Sequence, residues 1–509
     1  MNSRPNGLSA PAPTILIVGS GPAGLFAACE LLRHGVKPRV VERRLAPHHE
    51  TRGTALQPAV LDIVDRAGLI EPFLKGGVHI KHSELMGPGM RRIMNADFGG
   101  VGCRYEFQCS QPQWRTEQIL RDHLAARGVK VEYGAEVTAI DPGAETLRVT
   151  LDAGGRREVI EPHYLLGAGG AHGITRHSMN EHLVGETYGG RYVVADIKLG
   201  LAIPPETARI VVGAAGFVLF APLPDRRWLI FVSRDPADAR DDPPTAAELG
   251  AMVNARVSAD VGLSDLRWVS YFKMHRREAE SLGDGRRFLL GDAGHMSSPL
   301  GGEGINAAFM DAADIAWKLA LVMRGAARPS LLASYAIERG MADRHALEVS
   351  NDIHGHITAL VAACRGGGDA PKLAPSTADE IVSAARRRSM LDVSYAGSPL
   401  VGQAGATVAA PEPGLRFPDI HRLKGERHHL IVFGAAPSLE KMRARWDGLV
   451  TIIDGSAEGF DAAKAGAPGG GAVLVRPDGF IGFRAAPADT ATMAALDAHL
   501  ASYLIPAGA

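Results

Sequence analysis

The chain has 509 residues, more than one hydrophobic core accommodates, so two or three domains are expected. With 46% hydrophobic and 22% charged residues it has the composition of a globular protein, and a formal net charge of -1 removes the electrostatic case for nucleic acid or a membrane surface as partner. Four cysteines (Cys29, Cys103, Cys109, Cys364) without a CxxC pair or a histidine at zinc spacing indicate neither a disulfide framework nor a metal site.

The opening MNSRPNGLSAPAPT has no apolar core, and the ILIV after it is too short for a signal sequence or a membrane span, so a cytoplasmic protein is expected. From residue 14 the sequence reads TILIVGSGPAGLFAACELLRHGVKPRVVERR. Four apolar residues predict a buried parallel strand, and Leu25, Ala28, Leu31 and Leu32 recur at helical spacing. A second strand ends in Glu42, which completes a βαβ unit. Gly19 allows the tight turn, Gly21 lets the backbone approach a pyrophosphate, and Gly24 lets the helix lie close to the strand. Glu42 stands where a carboxylate binds a ribose hydroxyl, so a dinucleotide site is expected.

Further along, ERRLAPHHETRGTALQPAVLDIVDRAGL occupies residues 42–69, and CSQPQWRTEQILRDHLAARGV (109–129) reads as a loop ended by a helix. The segment YLLGAGGAHGITRHSM (164–179) reads as a strand and a glycine turn. Between about 180 and 275, RYVVADIKL, GFVLFAPLPDRRWLIFVS and LRWVSYFKM predict a mostly antiparallel sheet. Its aromatics Phe217, Phe220, Trp228, Phe231, Tyr271 and Phe272 are core residues first and candidates for an aromatic-substrate wall second. GRRFLLGDAGHMSSPLGGEGINAAFMDAADIAWKLALV (285–322) reads as a strand, Asp292 at its end, a glycine-dense loop and a helix opening near Gly304-Ile305-Asn306. Two Gly-, Ala- and Pro-rich stretches, 364–380 and 396–414, precede a C-terminal unit of strands and a final helix.

Taken together, residues 19–24, 42–69, 109–129 and 285–322 resemble the fingerprints of the single-component FAD-dependent aromatic hydroxylases, and the tail resembles the thioredoxin-like appendage of their phenol hydroxylase branch. The resemblance implies an α/β fold. A discontinuous Rossmann-like FAD-binding domain would span 1–180 and 276–395, a substrate sheet 181–275, and a thioredoxin-like domain 405–509, which without a single cysteine has no dithiol chemistry. It implies FAD held by Gly19, Gly21, Gly24, Glu42, Arg43, Arg52, Gln111, Asp292, Gly301, Gly302, Gly304, Ile305 and Asn306, with Pro299 at the reacting edge of the flavin.

Asp292 would bind the ribityl chain, and the following helix N-terminus would stabilise the anionic reduced flavin. His295 reads first as a structural histidine and second as an acid or base. The implied activity is hydroxylation of an aromatic, phenolic small molecule with O2 and NADPH or NADH through a flavin C4a-hydroperoxide, in a chain that forms a homodimer. A Baeyer-Villiger or epoxidising oxygenase on a polyketide-like substrate, and an FAD-binding relative with poor nicotinamide turnover, are the alternatives. One departure stands out: Gly169 occupies the place of the family's Asp and Gly173 that of its Ser, while Gly170 and Arg176 match.

Overall fold

The computed structural model describes residues 14–49, 51, 53–143, 145–234, 242–298, 300–366, 378–406 and 411–506. Arg52 and Pro299, both expected at the flavin, lie outside the described residues. The βαβ unit forms as its periodicity predicts: strand Ile15–Val18, helix Pro22–Arg33, strand Arg39–Glu42. Five parallel strands make the N-terminal sheet, in the order Arg287–Leu289, Tyr164–Gly167, Ile15–Val18, Arg39–Glu42, Val131–Tyr133. The two strands that carry the glycine turn and the 285–322 motif are therefore separated by one strand only. Helices Pro22–Arg33 and Gly304–Met323 pack together, with Phe26 and Phe309 stacked 4.1 Å apart. The alanines at 27, 28, 308, 312 and 313, all buried, allow that approach.

The second sheet has eight strands, mostly antiparallel, centred on the long pair Leu183–Lys198 and Ser264–Ala279. It is wider than 181–275. His82–Met86 and Arg92–Asp97 join one edge, and His295–Met296 joins the other. Because side chains alternate along a strand, the sheet has two apolar faces. One, with Phe220, Trp228 and Ile230, is covered by helix Ala246–Val257; the other, with Tyr192, Phe217 and Phe231, packs on Leu300 and the end of helix Ala333–Arg365.

The C-terminal unit is a mixed five-stranded sheet in the order Gly402–Gly405, Ile481–Ala486, Gly471–Val475, His428–Phe433, Val450–Asp454, with helix Thr490–Tyr503 against it. It shares a hydrophobic core with Trp317 and Leu321 of helix Gly304–Met323. Among the described residues, no helix is long and apolar enough to cross a membrane.

Candidate active site

The glycine turn shows which of its glycines serve the fold. Gly19 has φ +110, and a Cβ there would lie 2.3 Å from the Ala168 carbonyl oxygen. A Cβ on Gly24 would lie 2.1 Å from the Gly19 carbonyl oxygen. Around Gly21 nothing lies within 4 Å, so no protein atom demands a glycine there. Gly21 caps helix Pro22–Arg33 without a side-chain bond, and the first turn carries no acid, which leaves its N–H groups to an anion. A pyrophosphate fits this cradle.

Glu42 is buried. Its Oε2 accepts from the Ser20 N–H at 2.9 Å and its Oε1 from the Arg44 N–H at 3.0 Å, so it closes the turn and keeps lone pairs for a ribose hydroxyl. Arg43 is exposed beside it. Gln111 is fully buried: its amide donates to Thr116 Oγ1 at 3.0 Å, while its Oε1 has no partner. Buried amide oxygens are rarely left unpaired, so this one fits a cofactor donor.

In the 285–322 motif the strand ends at Leu289, and Asp292 lies exposed in a short turn, Gly291–Ala293, rather than at the strand end itself. Gly302 has φ +72. Gly304 opens the 20-residue helix with no acid in its first turn. Ile305 lies 3.5 Å from where a Gly53 Cβ would be, which brings the loop after Thr51 against the helix mouth. Asn306 acts as a clamp: it accepts from the Gln57 N–H at 2.8 Å and donates to the carbonyls of Ala55 at 2.9 Å and Gly302 at 2.7 Å. Its amide is used on the protein, tying the helix mouth to Gly302 and to the Ala55–Gln57 segment. The buried Gly301 faces Glu303 and Ser350.

His295 does not face the loop's glycines. It is buried, its Nε2 lies 2.8 Å from Asp311 Oδ2 and 3.6 Å from Asp343 Oδ2, and Gly291 N–H donates to the same Asp311 oxygen at 2.8 Å. Arg339 bonds Asp311 at 2.7 Å and Asp343 at 3.0 Å. Burial pushes the His295 ring down, but the carboxylates of Asp343 and Asp311 outweigh it and raise it to about 9. Asp311, against its own burial, is held at about 2 by His295 and Arg339. This is a structural tie that pins the first residue of the loop. The donors of His295, Asp311 and Asp343 lie within 4.8 Å of one another, but Arg339 already supplies the cation there.

Asp311, Asp314 and Lys318 interrupt an otherwise apolar helix at helical spacing, so a polar stripe was legible there, but the distant partners of Asp311 were not. Nor was the setting of Glu303. It is fully buried with neither carboxyl oxygen hydrogen-bonded, and burial pushes its carboxyl well above the usual carboxylate range.

Of the six aromatics named from the sheet, Phe217 and Phe231 are on the face toward Leu300 of the glycine-dense loop, with Tyr192 stacked on Phe231 at 5.0 Å. Phe220, Trp228 and Tyr271 belong to the opposite face and cannot line it; the Phe272 side chain lies outside the described residues. Strand alternation decides this. At Gly169, exposed at the turn after Tyr164–Gly167, a Cβ would meet only Gly173 Cα at 3.2 Å and Val18 O at 3.8 Å.

Fold and site together define a flavoprotein of the aromatic-ring hydroxylase type. The chain matches the family described as FAD binding domain over residues 13–350 and the one described as aromatic-ring hydroxylase, C-terminal, over 398–507. It belongs to this family and is an FAD-dependent aromatic monooxygenase, with NAD(P)H as the family's reductant. It is 31% identical to 6-methylpretetramide 4-monooxygenase of Streptomyces rimosus over 96% of this chain and 93% of that protein. Anhydrotetracycline hydroxylase from Streptomyces rimosus superposes with a TM-score of 0.76 at 25% identity, covering 97% of this chain and all of the other. A relative of different name, dialkyldecalin synthase of Streptomyces rugosporus, is 32% identical over 65% of this chain and 70% of that protein.

Proposed function

We propose that the enzyme hydroxylates a phenolic, fused-ring small molecule with O2 and NAD(P)H, in the cytoplasm and as a homodimer. The observation that carries the substrate class is the aromatic face of the wide sheet: Tyr192, Phe217 and Phe231 stand over Leu300, next to the loop that receives the flavin ring. The relatives named for tetracyclic substrates support the same class.

FAD, when bound, supplies hydride acceptance and oxygen activation. Gly19, Gly21, Gly24, Glu42, Arg43 and Gln111 hold its adenosine and pyrophosphate end. Asp292 holds the ribityl chain. Gly301, Gly302, Gly304 and Ile305 seat the ring at a helix N-terminus, whose partial positive charge favours the anionic reduced form. Asn306 and His295 position that loop, and the buried apolar face around Met274 and Leu300 keeps water from the reacting edge.

A screen of mono- and polycyclic phenols for accelerated NAD(P)H oxidation coupled to a product heavier by one oxygen tests this. If no phenol accelerates flavin reduction on rapid mixing with NADPH or NADH, the hydroxylase substrate class is wrong and the synthase-like relative becomes the better guide. Gly169→Asp, whose Cβ at 3.2 Å from Gly173 Cα requires that turn to give by a few tenths of an ångström, should lower the apparent KM for the nicotinamide at least threefold; an unchanged KM would show that another group replaces the missing carboxylate.

A further inference from the structure

The helix Ala333–Arg365 runs from the flavin loop to the aromatic face of the wide sheet, and its residues divide accordingly. Ser350 Oγ donates to the Ser298 carbonyl at 2.9 Å, which fixes that turn of the helix to the loop. Asn351 Oδ1 accepts from Tyr188 OH at 3.0 Å, which fixes the same turn to the sheet. His354 follows Ser350 by four residues, on the same side of the helix and about 6 Å further along. Its ring lies 4.3 Å from that of Tyr188 and 6.5 Å from that of Tyr192, which stacks on Phe231. The Nδ1 of His354 is shielded from solvent and has no hydrogen-bond partner. A neutral imidazole with an orphaned nitrogen, set among aromatic rings beside the loop of an aromatic hydroxylase, is an acceptor awaiting a donor.

We propose that His354 Nδ1 takes the proton of the substrate's phenolic hydroxyl, while Tyr188 and Tyr192 flank the ring that carries it. The substrate O–H bond breaks, an N–H bond forms on Nδ1, and the electron pair stays on the phenolate oxygen, which makes the ring positions ortho and para to it electron-rich toward an electrophilic oxygen donor. Burial holds the imidazole below its ordinary value, so the ring is neutral and able to accept at neutral pH. The assignment rests on the phenolic reading of the substrate and adds the base to it.

The test uses the FAD-loaded enzyme and alizarin, a fused-ring phenol whose ionised form absorbs at longer wavelength than flavin. Wild type should bind alizarin with growth of the ionised band at a pH where the free dye is mostly neutral. His354→Phe, which keeps the ring packing against Tyr188, should load FAD normally and bind the dye with the ionised fraction reduced at least tenfold. His354→Asn, which retains an acceptor, should recover part of it. Absence of any dye binding by wild type would overturn the phenolic reading itself. Binding without the ionised band, or an equal band in His354→Phe, would overturn the role of His354 and leave the substrate class standing. Comparison with anthraquinone, which has no hydroxyl, checks the contact without a variant: affinity equal to that of alizarin would overturn it too.

Discussion

Gly21 and Gly24 belong to one turn and serve different masters. A methyl on Gly24 would overlap the Gly19 carbonyl at 2.1 Å, so Gly24→Ala forces the helix off its strand whether or not FAD is present. A methyl on Gly21 meets no protein atom within 4 Å, so Gly21→Ala costs only what the cofactor feels. The expected result is that Gly21→Ala melts like the parent when stripped of FAD but loses much of its FAD occupancy, whereas Gly24→Ala melts lower in both states. Equal loss of apo stability in both variants would contradict the division. The spacing of glycines was legible in the sequence because a turn, a strand and a helix each impose a local pattern. The orphaned oxygen of Gln111 and the orphaned nitrogen of His354 were not, because nothing local to 111 or 354 reports what the distant chain leaves unpaired.

At the scale of elements, the loop from Gly291 to Gly304 was placed correctly before its helix, but the task of its histidine came from outside the motif. His295 faces Asp311 one helix away and Asp343 on another, contacts that sequence spacing does not encode. Its elevated value, about 9, against about 6.5 for a free histidine, means the folded chain binds this proton more tightly than the unfolded chain does. The stabilisation is therefore complete below about pH 6.5 and is lost as pH rises through 9. Asp343, raised to about 6 by burial, titrates into the start of that limb, so above about pH 7 the limb belongs to His295. Melting midpoints of the FAD-loaded enzyme should fall between about pH 6.5 and 9, with FAD released more readily along the same limb. His295→Asn should be less stable at pH 6 and show a flatter alkaline limb. Parallel profiles for the two proteins would remove His295 from the account. Sequence alone gives the six sheet aromatics as core residues first and wall candidates second; strand pairing separates them, because alternate positions along each strand part to opposite faces.

For the whole molecule, the question is why a C-terminal unit without a thiol is retained against the flavin-binding body. Its Arg-Pro-Asp-Gly turn reaches into the interface, where Arg476 bonds Glu338 at 2.9 Å and Asp314 at 3.3 Å and also pairs with Asp478. Lys318 bonds the same two acids, Asp314 at 2.7 Å and Glu338 at 2.6 Å, and Trp317 Nε1 donates to Asp478 at 3.1 Å. Burial pushes the Asp314 carboxyl up, against the pull of Lys318 and Arg476 beside it. Asp314, Trp317 and Lys318 are on the helix that opens at Gly304, and Glu338 is next to Arg339, which holds Asp311. The unit thus braces the helix whose N-terminus is proposed to seat the flavin ring. Removing one member of a buried pair typically costs about 3–5 kcal/mol because the remaining charges stay desolvated. Arg476→Met should therefore convert a single calorimetric unfolding transition into two, the C-terminal unit melting first, and should weaken FAD retention although Arg476 itself is far from the loop in sequence and in contact. One transition at the parental midpoint would mean that the apolar contacts of Trp317 and Leu321 alone unite the two parts.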